Sequence, residues 1–181
     1  MSNSVFVDMV KALKDEDVNF AFERRHSGEF SGYIDTGSYL LNGQISGSMY
    51  GGMPNNKVWA IAGETTTGKT FFALGVVKFF LDSHPDAACF YYDTEAALTA
   101  DMLEERGIDS RRIIIGEPAT IQEFRHKVIT VLNRYKDIPK KDRPPMFMVL
   151  DSMGNLSSTK EVEDTESGVE TRDMTKSQLL R

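Results

Sequence analysis

The 181-residue sequence has no run of about eighteen consecutive apolar residues, so no segment reads as a membrane-spanning helix. Its first residues, Met1-Ser2-Asn3-Ser4-Val5-Phe6, lack a charged stretch followed by an apolar core, which argues against a secretory leader and for a cytoplasmic protein. Cysteine is nearly absent. The single Cys89 excludes an internal disulfide framework and, lying in the apolar run Ala87 to Tyr92, reads as a buried strand thiol. Positive charge is also scarce: 21 Lys and Arg face 27 Asp and Glu, a net charge of −6 that argues against a surface given over to nucleic acid. The short clusters Arg24-Arg25-His26, Arg111-Arg112 and Lys140-Lys141-Asp142-Arg143 read as solvated faces. Length and an ordinary apolar fraction of 40% fit one globular domain with a sizeable core.

What is present is a phosphate loop. Gly63-Glu64-Thr65-Thr66-Thr67-Gly68-Lys69-Thr70 follows the apolar run Val58 to Ala62 and precedes Phe71-Phe72-Ala73-Leu74, giving the order strand, loop, helix. The spacing Gly-x4-Gly-Lys-Thr lets backbone N–H groups turn inward around a phosphate at a helix N-terminus. In that setting Lys69 supplies a point charge to the outer phosphates and the Thr70 hydroxyl is a ligand for Mg²⁺.

Along the chain, Val5 to Leu13 has helical spacing and Val18 to Phe22 strand spacing; this N-terminal part, residues 1–32, reads as a segment that could contact a neighbouring subunit. Residues 33–181 read as the core. A short helix is expected from Ser38 to Asn42, stopping at Gly43, then a glycine-rich loop and the first core strand, Lys57 to Ala62. The helix Gly68 to Asp82 should turn Phe72, Val76, Phe79 and Phe80 inward, with His84 near its end in a capping or solvated role. Strands follow at Ala88 to Tyr92, Arg112 to Ile115 and Met146 to Leu150, with helices between them from Thr99 to Arg106 and from Ile121 to Lys136. Thr120 and Glu123 form a capping box for the latter, whose Phe124, Val128, Val131 and Leu132 should face inward. This alternation predicts a parallel α/β sheet covered on both faces by helices. After it, Gly154 to Gly168 reads as a flexible, solvated loop.

Ligands of such sheets bind beyond the carboxyl ends of the strands. Asp151 stands there after four apolar residues, suited to hold Mg²⁺ near Thr70. Asp93 and Glu95 end the neighbouring strand; Glu95, 26 residues beyond Lys69, is the candidate general base for an attacking water, and Asp93 is the competing carboxylate, which could instead only hydrogen-bond nearby backbone.

The segments Tyr33 to Ser38, Gly51 to Pro54, Gly63 to Thr70, Tyr91-Tyr92-Asp93-Thr94-Glu95-Ala96-Ala97-Leu98 and Met148 to Leu156 resemble, in the same order, the RecA-family recombinases, especially those of phages. The likeness covers nearly the whole chain after Ile34. It implies a RecA-like P-loop NTPase core that uses ATP and Mg²⁺ to form helical filaments on single-stranded DNA for recombination and repair. Glu95 is then the catalytic glutamate beside Lys69; Gly63 through Thr70 and Phe71 hold the nucleotide; Thr70 and Asp151 hold the metal. The stretch from about Met153 to Arg172 corresponds to the first DNA-binding loop, with Gly154, Asn155, Lys160 and Arg172 as candidate contacts. The setting would be a host cytoplasm if the chain is phage-encoded.

The chain departs from that pattern in three ways. Met102 stands where many relatives place an aromatic residue against adenine. From Ser152 to Asp173 the basic residues Lys160 and Arg172 face Glu161, Glu163, Asp164, Glu166, Glu170 and Asp173, two against six, for a net charge of −4. Finally, the sequence stops at Arg181, where relatives continue with further strands, one of which lies between the P-loop strand and the strand ending at Asp151. A gap in the sheet is therefore expected, and with it an N-terminal portion that needs a C-terminal complementing fragment. The competing readings are another RecA-like ATPase, of replicative-helicase type, and a non-catalytic nucleotide-binding or assembly module.

Overall fold

Three apolar runs of this chain become parallel strands of one sheet in a computed structural model that describes residues 32–168, together with residues 8, 9 and 12. The expected strand at Val18 to Phe22, nearly all of the helix at Val5 to Leu13, Arg172 and the C-terminal tail lie outside the described residues. A short antiparallel pair, β1 (Tyr33–Ile34) and β2 (Met53–Pro54), brackets helix α1 (Tyr39–Ser46). There follow α2 (Lys69–Ser83), β3 (Ala88–Asp93), α3 (Ala100–Glu104), β4 (Ile113–Gly116), α4 (Ile121–Asp137), β5 (Met146–Asp151) and α5 (Thr159–Ser167). The sheet order is β4-β3-β5, with Cys89 opposite Ile113 and Asp93 opposite Asp151. The α/β class with a parallel sheet is as the alternating pattern predicts.

The core lies between α2 and the middle strand. Leu74, Val77, Phe80 and Leu81 pack with Cys89 and Tyr91 of β3 and with Leu103, Ile108 and Ile113. Phe80 meets Phe147 of β5 at a ring separation of 5.1 Å. The inward face of α2 is as expected at Val76 and Phe80, which are buried, and it also takes in Leu74, Val77 and Leu81, whereas Phe79 is 36% exposed and lies against Gly37. On α4 only Ile121 is buried and Leu132 is 38% exposed, while Phe124 meets the ring of Tyr92 on β3 edge-on at 5.1 Å.

Three expectations need correction. Lys57 to Ala62 does not join the sheet: among the described residues it forms no strand ladder, and Val58 is 100%, Trp59 42% and Ile61 48% exposed. A strand is defined by its ladder, and no described strand stands beside this run. Among the described residues β5 is an edge strand, with β3 on one side and no strand on the other. Second, α1 does not stop at Gly43 but runs to Ser46, where Gly47 at φ 75° donates its N–H to the Gly43 carbonyl and ends the helix. Third, the stretch read as a solvated loop contains a 3₁₀ turn at Met153–Asn155 and the helix α5. A full capping box starts α5: Ser158, itself buried, accepts from the Glu161 amide at 3.1 Å, while Glu161 accepts from the Ser158 amide at 2.8 Å.

Two of the arginine clusters are not merely solvated. Arg112 donates to the carbonyls of Ala87, Leu81 and His84, tying the end of α2 to the start of β4. Arg143 donates to Ile138 and Lys136 and lies over the Tyr135 ring. On α1, Asn42 is a buried hub: its Oδ1 accepts from the Thr36 amide at 3.1 Å and hydroxyl at 2.7 Å, and its Nδ2 donates to Asp35 and to the Met49 carbonyl.

Candidate nucleotide-binding site

The phosphate-loop sequence folds into a turn that closes on itself. Gly68 takes a left-handed φ of 88° to enter α2, and Thr66 is likewise left-handed at 66°. The Lys69 ammonium folds back over the loop, donating to the Gly63 carbonyl at 3.0 Å and the Glu64 carbonyl at 2.8 Å. Thr67 donates to the same Glu64 carbonyl. The cap of α2 is instructive beside those of the other described helices. The α1, α3, α4 and α5 helices begin with a Ser or Thr whose hydroxyl accepts an amide of the first turn, whereas Gly68 offers α2 no side chain. Donors at this helix start therefore have no side-chain acceptor at the cap, which suits an anionic ligand.

Asp151 is held from two sides. Its Oδ2 accepts from the Thr70 hydroxyl at 2.6 Å and from the Tyr91 hydroxyl at 2.8 Å. The first bond joins residues 81 positions apart, bringing the loop to the tip of β5. Tyr91 is buried at 1% exposure, and burial, then its bond to Asp151 and the nearby carboxylates, hold its phenol well above the usual range, so it stays a donor. Sequence reasoning missed Tyr91. The available signal was a tyrosine inside an otherwise apolar strand, whose hydroxyl must find a partner when buried.

The competing carboxylates of β3 take different positions. Asp93 is buried and accepts from the amides of Glu95 at 3.0 Å and Leu98 at 2.8 Å, which shapes the turn in which Ala96 has a φ of 50°. Glu95 is exposed beyond that turn, and its Oε1 accepts from Asn155 Nδ2 at 2.8 Å. Thr94 joins the two strand ends: its amide donates to the Asp151 carbonyl at 2.8 Å, and its hydroxyl accepts from the Ser152 amide at 2.9 Å. Asp151 and Ser152 are linked by a cis peptide.

Phe71, on the first turn of α2, is exposed and lies 5.4 Å from the Arg106 guanidinium, which also donates to the Met102 carbonyl. Gly154, Asn155 and Lys160 are all exposed on the segment after β5. The structure thus gathers Gly63 to Thr70 with Asp151, and Glu95 with Asn155, at the carboxyl ends of β3 and β5. Among the described residues no group of three or more His, Cys, Asp or Glu could hold a metal ion. One hydroxyl and one carboxylate nevertheless fit Mg²⁺, which keeps several waters and takes its other ligands from phosphate oxygens.

The fold is that of an α/β protein with a RecA-like core, and the phosphate-loop motif lies at the start of its helix α2. The particular likeness comes from sequence. The chain is 30% identical over 142 residues to the "Recombination and repair protein" of Enterobacteria phage T4, an alignment covering 78% of this chain and 35% of that protein. It is 27% identical over 171 residues to "Protein RecA" of Malacoplasma penetrans (strain HF-2), covering 91% of this chain and 48% of the relative. "Protein RecA" of Sulfurovum sp. (strain NBC37-1) is 26% identical over 152 residues, covering 82% and 40%. The chain therefore spans between a third and a half of the length of these relatives, and the resemblance to RecA-family recombinases, the phage UvsX type included, extends over most of it. No protein-family profile matches. No helix among the described residues is long and apolar enough to cross a membrane.

Proposed function

We propose that this chain is the nucleotide-binding portion of an ATP-dependent recombinase that forms filaments on single-stranded DNA for homologous pairing and strand exchange. The observation that carries the reading is the 2.6 Å contact between Thr70 and Asp151, which joins the end of the phosphate loop to the carboxylate of β5. Gly63 to Thr70 and Phe71 would hold ATP, with Lys69 on its phosphates and Thr70 and Asp151 on Mg²⁺, which supplies charge neutralisation when bound. Lys69 leaves two loop carbonyls to do so. Glu95 is the proposed general base for the attacking water, and Asp93 supports it through the backbone. Gly154, Lys160 and Arg172 remain candidate DNA contacts, acting from an acidic segment in which backbone amides would contribute as much as side chains.

Nucleotide binding and single-turnover hydrolysis of Lys69→Ala and Glu95→Gln test this. Lys69→Ala should lose nucleotide affinity, whereas Glu95→Gln should keep it and lose about 10²- to 10⁴-fold in turnover. If neither substitution changes the hydrolysis rate, the site is wrongly assigned. Single-strand binding measured against salt, with and without ATP, should show a counterion-release slope if phosphates are contacted.

A second reading is favoured by the exposure of Val58, Trp59 and Ile61 and by the unpaired edge of β5. It takes these residues as a module that binds nucleotide but needs a further element against that run and that strand edge before it turns over. Full strand exchange by the purified chain alone would defeat it.

A further inference from the structure

The likeness to recombinases assigns Asn155 to a DNA-binding segment, yet its side-chain amide is engaged elsewhere: Nδ2 donates to Glu95 Oε1 at 2.8 Å across 60 residues of sequence. Both side chains are exposed, so what matters is how firmly each backbone is held.

On one side, Glu95 follows the end of β3, and its amide is bound by the buried Asp93 carboxylate at 3.0 Å. On the other, Asn155 closes the 3₁₀ turn after β5 and precedes Leu156, which is 1% exposed. Beyond it, Ser157 bridges in parallel to Thr120: the Ile121 amide donates to the Ser157 carbonyl at 3.0 Å, and the Ser157 amide to the Ala119 carbonyl at 3.2 Å. Then comes Ser158, fully buried, capping α5. Between the two turns, Thr94 binds the Asp151–Ser152 peptide from both its amide and its hydroxyl. The Glu95–Asn155 bond thus spans two fixed supports.

We infer that Asn155 is a positioning residue for Glu95, holding one carboxylate oxygen so that the other is presented to the attacking water, and that it is not primarily a DNA contact. This rests on the reading of Glu95 as the general base. A neutral amide is well matched to such a role, because it donates to the carboxylate without adding a charge and its own oxygen is still free to accept. Loss of such a restraint leaves the general base present but free to rotate, an orientation effect that can reach about 10²-fold in rate.

The test uses the full chain and three substitutions, with single-turnover and steady-state ATP hydrolysis, single-strand binding against salt, and the Asn155 side-chain amide resonance. Asn155→Ala should lower turnover about 10- to 100-fold with KM for ATP unchanged. Asn155→Asp, which keeps the shape but sets a carboxylate against Glu95, should fall at least as far; a role in packing alone would spare it. Single-strand affinity and its salt slope should not move in Asn155→Ala, and the Asn155 amide resonance of the parent should shift in Glu95→Gln. Turnover in Asn155→Ala at or above the parent's overturns the inference, as does parent-like turnover in Asn155→Asp, lost DNA affinity with normal turnover, or an unmoved resonance. If Glu95→Gln itself turns over like the parent, the general-base reading fails and takes the inference with it. A slow Glu95→Gln beside a normal Asn155→Ala removes the inference alone.

Discussion

Ala88–Asp93 and the run from Val58 to Ala62 are both short, apolar and placed just before a functional turn, yet they meet opposite environments. The first lies between β4 and β5, paired with β5 from Ala88 to Asp93 and with β4 from Cys89 to Tyr92, and Cys89 and Tyr91 are almost wholly buried. The second has no strand beside it among the described residues, and Val58 is fully exposed. Composition sets the capacity to be a strand; a neighbour on each side makes it one. The phosphate loop consequently hangs on its downstream helix and on the Thr70–Asp151 contact rather than on the strand that leads into it.

This contrast can be broken by substitution on each side of it. The largest effect is expected at the supported strand: Leu74→Ala, which empties a fully buried position against β3, should destabilise by about 3 kcal/mol in urea denaturation. Next is Arg112→Ala, which removes a charged donor from the carbonyls of Leu81, His84 and Ala87 and should cost about 2 kcal/mol in the same assay. Third is a pH effect. Burial pushes the Cys89 thiol up from 9.0 to about 12, so above pH 9 the unfolded chain releases a proton that the folded chain retains. Stability from this group is complete below that pH and falls as the pH rises from 9 towards about 12, with Tyr91 acting in the same direction at higher pH. Cys89→Ala should flatten the lower part of that decline. The smallest effect is expected at the unsupported run, where Val58→Ala should change stability by less than about 0.5 kcal/mol. A larger loss there would mean that this run is covered in solution.

Much of the molecule could be read from its residues. The apolar runs at 88–92, 112–115 and 146–150 became β3, β4 and β5 within a residue or so because each carries the β-branched and aromatic residues of a covered strand. Thr70 and Asp151 were legible as a pair because the phosphate loop fixes one and the strand end fixes the other. Asp93 could not be told from Glu95 by position alone; the difference lies in backbone amides that curl around one carboxylate and leave the other outside. The start of α5 was missed although Ser158 and Glu161 carry the same signal as Thr120 and Glu123, because acidic residues throughout the following stretch resemble a solvated loop. Arg112 was missed for a related reason: its partners are carbonyls from a distant turn, and a sequence shows only the charge.

The hub at Asn42 has a consequence for how tolerant the chain is to change. A primary amide with two accepted and two donated contacts is saturated, and its orientation is fixed because reversal would point its NH₂ at the Thr36 amide. Aspartate lacks the donors, glutamine is longer by a methylene, and histidine has another shape. Any other side chain at this buried position leaves Thr36, Asp35 or the Met49 carbonyl without its partner, so a single substitution unties the segment from Asp35 to Met49 at several points at once.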